Sequence, residues 1–160
     1  MGSTYPDLYA AIGVHSGLAC GVAKDIPSAF ASMRHGRSAA VGGSRRYDGS
    51  EGAVPTIVFH GDRDRTVNPA NGDQVIAQSK VAADLRTTVS RGEAPGGIGY
   101  TRTVQLDASG RPMLEQWVLH GAGRAWSGGS ATGSYTEPRG PDASREMIRF
   151  FFQHQRTAAS

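Results

Sequence analysis

Val54-Pro55-Thr56-Ile57-Val58-Phe59-His60-Gly61-Asp62-Arg63-Asp64-Arg65-Thr66-Val67 is the stretch that decides the fold. Its first half is apolar and β-branched without alternation, the pattern of a strand covered on both faces in a parallel sheet. Gly61 ends that strand, and a polar loop follows at its C-terminal end. In open α/β sheets, ligands bind outside the carboxyl ends of the strands. Asp62 and Asp64 stand at such a place, so the search for chemistry starts there.

Working outward, Leu8-Tyr9-Ala10-Ala11-Ile12-Gly13-Val14 is a second short apolar run. It reads as a buried strand, or as the end of a helix passing into one, and His15-Ser16-Gly17 breaks it. Residues 26–33 have room for a short helix with Pro27 in its first turn. Residues 36–53 are rich in glycine, serine and arginine and read as a loop. Downstream, Asn71-Gly72 is a turn, the segment from Asp73 to Leu85 has helical spacing, and residues 91–99 read as a glycine-rich loop. Residues 100–106 alternate, Asp107-Ala108-Ser109-Gly110 is a hairpin turn, and residues 113–119 are the returning strand. A polar loop carrying Trp126 spans residues 121–133. The segment from Asp142 to Phe152 reads as an amphipathic helix started by Pro141 and Asp142, with Met147, Ile148, Phe151 and Phe152 as its apolar face. The expected architecture is one α/β domain over residues 1–160. Its partial sheet has about three to five strands, partly parallel, flanked by helices.

Composition narrows the function classes. A chain of 160 residues is long enough for one buried core. No apolar run approaches the ~18 residues of a membrane helix, and no basic-then-apolar leader opens the sequence. A cytoplasmic location is the expectation. The single cysteine, Cys20, excludes an intrachain disulfide and a cysteine-based zinc site. The net charge of +3 comes from scattered cations with only Arg45-Arg46 adjacent, so neither nucleic acid nor membrane is the expected partner.

Several pieces together resemble the C-terminal half of the polyhydroxybutyrate depolymerase and feruloyl esterase group of α/β-hydrolases. They are Tyr5-Pro6-Asp7 with Val14-His15-Ser16-Gly17, the run from Val58 to Asp64 with Thr66-Val67 and Pro69, and Asn71-Gly72. The loop Gly121-Ala122-Gly123-Arg124-Ala125-Trp126-Ser127-Gly128-Gly129 and the closing helix also fit. The resemblance implies hydrolysis of carboxylic esters by a triad in the chain order Ser, Asp, His. The Gly-x-x-Asp loop then places the triad acid at Asp64, with Asp62 as its neighbour. The family's histidine falls where this chain has Arg124, which stays protonated and cannot act as a general base. The family's nucleophile elbow precedes the Tyr-Pro-Asp segment, so on this reading the chain is a truncated hydrolase. Ser16 is not expected to sit on a strained elbow.

The candidate catalytic residues are therefore Asp64 and His120, whose strand-end position would let it replace the lost base. Trp126, Arg124 and His15 are the candidate substrate-binding residues. Each has a plainer reading: Asp64 a solvated loop carboxylate, His120 a hydrogen-bonded strand-end histidine, Trp126 packing, and Arg124 an ion-pair partner of Asp64. No cofactor is expected, although Asp62, Asp64 and Asp73 carry the oxygen ligands a cation such as calcium takes. The leading functional expectation is a hydrolase of small ester or lactone bonds with an incomplete or rebuilt site. The alternatives are a non-catalytic interaction module and one half of a split esterase whose partner supplies the serine. The apolar strand from Leu8 to Val14 would form an unpaired sheet edge, so a homo-oligomer through it is also expected.

Overall fold

The computed structural model describes residues 8–17, 54–67 and 85–154. The expected helices at 26–33 and 73–85, the loop at 36–53, Cys20 and Asp73 lie outside the described residues or almost entirely so. Seven strands and one helix are present among the described residues: β1 (Ile12–His15), β2 (Thr56–Gly61), β3 (Arg86–Glu93), β4 (Gly99–Leu106), β5 (Pro112–Leu119), β6 (Trp126–Ser127), β7 (Thr136–Glu137) and α1 (Ala143–Phe152).

Five strands make one mixed sheet in the order β1-β2-β5-β4-β3. β1 and β5 flank β2 in parallel, and β5, β4 and β3 then run antiparallel. The unbroken apolar run at residues 54–60 is explained by that central place: every residue of β2 is buried. The turn at Asp107 joins β4 to β5, held by the Asp107 carboxylate accepting from the Ser109 and Arg111 amides.

Three expectations change in detail. The first strand is shorter than the apolar run, beginning at Ile12, and Leu8 is exposed. β3 was not foreseen: Arg86–Glu93 lacks an apolar face and is exposed throughout, because it is the outer strand of the hairpin with β4. Its polar sequence suits an edge strand, and its backbone pairing with β4 replaces the burial that usually marks a strand. Part of the expected glycine-rich loop, residues 91–93, belongs to it.

The core lies between the sheet and α1. Ile57, Phe59, Trp117 and Leu119 from β2 and β5 meet Ala143, Met147 and Phe150 from the helix. Asp142 caps α1 by accepting from the Arg145 amide. The helix is as expected, but its buried stripe is Ala143, Met147 and Phe150, at i, i+4 and i+7. Ile148 and Phe152 are exposed. α1 is also tied to the sheet through charge. Glu115, fully buried on β5, accepts from Arg149 of the helix, Arg102 of β4 and the Trp117 indole. Burial opposes ionisation of Glu115, but the hydrogen bonds from Arg102 and Arg149, the Arg102 charge and the Trp117 indole together outweigh it and hold its pKa below the usual carboxylate range.

Candidate active site

The β2-to-62–67 turn meets the loop after β5 at the carboxyl end of the parallel strands. The meeting is close. A Cβ at Gly61 would run into the carbonyl oxygens of Ala122 and Gly123, so only glycine fits. Backbone bonds stitch the loops together: the Asp62 amide donates to Leu119 O (3.1 Å) and the Arg63 amide to Ala122 O (3.0 Å).

Asp64 is buried within this turn, at 6% exposure. Its Oδ1 accepts from the Thr66 and Val67 amides, both at 2.8 Å. The carboxylate is thus fixed in direction by its own loop. Its Oδ2 is buried and has no hydrogen-bond partner among the described residues. His60 Nε2 lies 3.8 Å from that oxygen but donates to Val67 O at 2.9 Å. A carbonyl can only accept, so His60 carries its proton on Nε2. Its buried Nδ1 has no partner among the described residues.

Asp62, two residues earlier, turns to the surface. Its Oδ1 accepts from the Gly121 amide at 2.7 Å, and its Oδ2 meets His120 Nδ1 at 3.1 Å. His120 and Asp64, expected to share one site, are therefore not joined: His120 is held by the other carboxylate of the turn. The expected ion pair between Arg124 and Asp64 is likewise not formed, and Arg124 is exposed. With Asp62 and Asp64 committed to different partners and Asp73 outside the described residues, no group of three metal-ligating side chains occurs among the described residues.

His15 ends β1 and is sandwiched between rings. It stacks on Trp126 with centroids 4.8 Å apart and on Phe59 at 6.0 Å. Its Nε2 accepts from the Ser127 amide at 3.1 Å, so that nitrogen's lone pair is occupied. Burial chiefly, with a smaller contribution from the His60 charge, lowers the His15 pKa to about 4 against the opposing pull of Asp64. His15 is neutral at pH 7. Trp126 is 38% exposed, and its indole N–H donates to Ser144 Oγ at 3.1 Å, which fixes the ring. Two of the expected binding residues, His15 and Trp126, are thus brought together as an aromatic pair, and Arg124 stands two residues before Trp126.

Ser16 departs from its expected conformation. Its φ is +48°, the one non-glycine residue in the left-handed region among those described. It is buried, its amide donates to Phe59 O, and its hydroxyl has no partner among the described residues. A strand running into a left-handed serine is a bent, strained turn. The break His15-Ser16-Gly17 was the visible signal of a turn, but not of which residue would take the positive φ.

The sequence reading also missed His60, because it lies inside an apolar run, and Thr101, whose role depends on cross-strand register. Thr101 Oγ1 lies 2.9 Å from His120 Nε2.

Against this geometry, comparison with known proteins is specific. A family model described as esterase PHB depolymerase matches residues 1–94. The chain is 31% identical over 140 residues to poly(3-hydroxyalkanoate) depolymerase C of Paucimonas lemoignei. That match covers 84% of this chain and 33% of the relative, so the chain spans about a third of the relative's length. The buried Gly-x-x-Asp turn that fixes Asp64 lies inside the matched residues, and with more than half of its length matched the chain belongs to the esterase PHB depolymerase family.

Proposed function

We propose that this chain carries the acid-bearing portion of a carboxylic-ester hydrolase acting on small ester or lactone bonds, with Asp64 as the acid. The observation that supports this reading is the divided carboxylate of Asp64. One oxygen is locked by two backbone amides, while the other is buried and unpartnered among the described residues. An unpaired buried carboxylate oxygen is costly, and the cost is accepted where the oxygen serves an incoming N–H. In a serine-type site that N–H belongs to the histidine that the acid orients and whose positive charge it balances. Trp126 on His15 offers a flat apolar wall for the acyl or alcohol group.

The test is turnover of a chromogenic short-chain ester by the purified chain and by Asp64→Asn. Loss of a member of such a triad costs orders of magnitude. A fall of ~10²-fold or more at unchanged folded concentration supports the reading, and equal turnover removes Asp64 from the chemistry. Arg124 favours a second reading, a family member that keeps the fold without the reaction, because a guanidinium stands where the family has its base. Absence of turnover above the solvent rate in both proteins would select that one.

A further inference from the structure

Asp62, His120 and Thr101 are joined in a line of hydrogen bonds. A carboxylate only accepts, so His120 Nδ1 donates its proton to Asp62 Oδ2 at 3.1 Å. In the neutral ring this leaves a lone pair on Nε2, 2.9 Å from the Thr101 hydroxyl and able to accept its proton. The sheet register produces this approach. Thr101 lies opposite Val118 on β5, and His120 follows two residues later on the same side, at the diagonal position where longer side chains meet. Asp62 is itself anchored by the Gly121 amide, so the acid is oriented before any substrate arrives. The line is open to solvent, with the His120 and Asp62 side chains 47% and 37% exposed.

We propose that Thr101, His120 and Asp62 form a second acyl-transfer site, in which the Thr101 hydroxyl accepts the acyl group of a small activated ester. Thr101 Oγ1 bonds to the carbonyl carbon while its proton passes to His120 Nε2. The carbonyl re-forms as the bond to the leaving oxygen breaks, and that oxygen either takes the proton from His120 Nε2 or departs as an anion while His120 releases the proton to water. Water then attacks the acyl-threonine, giving a proton through Nε2 back to Thr101 Oγ1 and releasing the carboxylic acid. This site does not depend on the role of Asp64. Thr88, on the neighbouring strand, is a built-in control, because its hydroxyl faces the Val104 carbonyl instead of a base.

The test is time-resolved acetylation of the full chain by p-nitrophenyl acetate, mapped by peptide mass. An acetyl group on Thr101 and none on Thr88 is expected. General-base assistance contributes at least ~10²-fold, so His120→Gln should slow acetylation of Thr101 by about that factor. Asp62→Asn, which preserves side-chain volume, should slow it more than ~10-fold by releasing the imidazole tautomer, and it serves if the histidine variant is unstable. Thr101→Ser should keep the label. No acetyl on Thr101, equal labelling of Thr88, or an unchanged rate in both folded variants overturns the proposal. Mapping reads the labelled residue and not total hydrolysis, and the Asp64→Asn turnover is compared in a Thr101→Val background, where this site contributes nothing, so the two outcomes are distinguishable.

Discussion

Asp62 and Asp64 stand two residues apart in one turn, yet they occupy opposite electrostatic worlds. Asp64 is buried, spends one oxygen on its own backbone and leaves the other unpartnered among the described residues. Asp62 is over a third exposed and has both oxygens engaged, by Gly121 and His120. The inner carboxylate shapes the loop; the outer one orients a histidine. Sequence spacing alone treats the two as interchangeable neighbours. What separates them is the fold: Asp64 turns back onto the amides of its own loop, and Asp62 reaches the loop after β5 at Gly121 and His120.

The largest expected effect tests the inner side. Asp64→Ala removes an ionised acceptor from two amides, one of them buried. With charge-assisted bonds worth about 1.5–3 kcal/mol each and unsatisfied buried donors left behind, we expect a loss of about 3 kcal/mol in chemical denaturation. Asp64→Asn, which can keep Oδ1 as an acceptor, should lose less than half of that. A loss below ~1 kcal/mol for the alanine variant would show that the turn holds itself without its carboxylate.

Next comes acid. The His15 pKa is lowered from 6.5 to about 4, so the unfolded chain takes up this proton before the folded one does. Stability is then untouched above pH 6.5, falls as pH drops from 6.5 toward 4, and stops falling on this account below that. The full difference corresponds to roughly 3 kcal/mol, and partial solvent access at His15 reduces it toward ~1–2. His15→Gln, which retains an acceptor for the Ser127 amide, should flatten stability between pH 6.5 and 4.5. His154, also lowered by burial, keeps its own share of that slope. Glu115 acts in a lower window: its depressed pKa gives stability that is present above 4.5 and lost as pH falls further. An unchanged slope in His15→Gln would mean that the imidazole is solvated enough to titrate normally.

On the outer side, Asp62→Ala should cost under ~1 kcal/mol, because exposed ion pairs and their hydrogen bonds exchange readily with water. Thermal melts of Asp62→Ala and Asp64→Ala side by side read the contrast directly. Equal losses would break it.

The same contrast marks how far the sequence could be read. β2 was legible because a buried parallel strand writes itself as an unbroken apolar run, and α1 because a capped helix has start signals and a 3.6 period. β3 was not, since an edge strand in a hairpin needs only backbone partners and leaves its side chains polar. Asp64 was singled out by the resemblance to the family's Gly-x-x-Asp loop, not by spacing alone. The partner of His120 could not be singled out, because Asp62 and Asp64 lie equally near in sequence and only the packing of two loops chooses between them. Ser16, Thr101 and His60 owe their roles to a backbone angle, a register and a buried neighbour. None of these is a property of residue type.

The smallest expected effect concerns Ser16, which like Asp64 is buried. Its left-handed φ costs on the order of 1 kcal/mol for a residue with a Cβ. Glycine removes that strain but adds unfolded-state freedom worth roughly 0.5–1 kcal/mol. The hydroxyl has no hydrogen-bond partner among the described residues, so losing it forfeits nothing visible there. Ser16→Gly should therefore be neutral or stabilised by up to ~0.5 kcal/mol, and ester turnover should persist if Asp64 rather than Ser16 carries the chemistry. A stability gain accompanied by loss of turnover would reverse that assignment. It would mean that the strained turn is kept for its hydroxyl, with Ser16 as the reacting group.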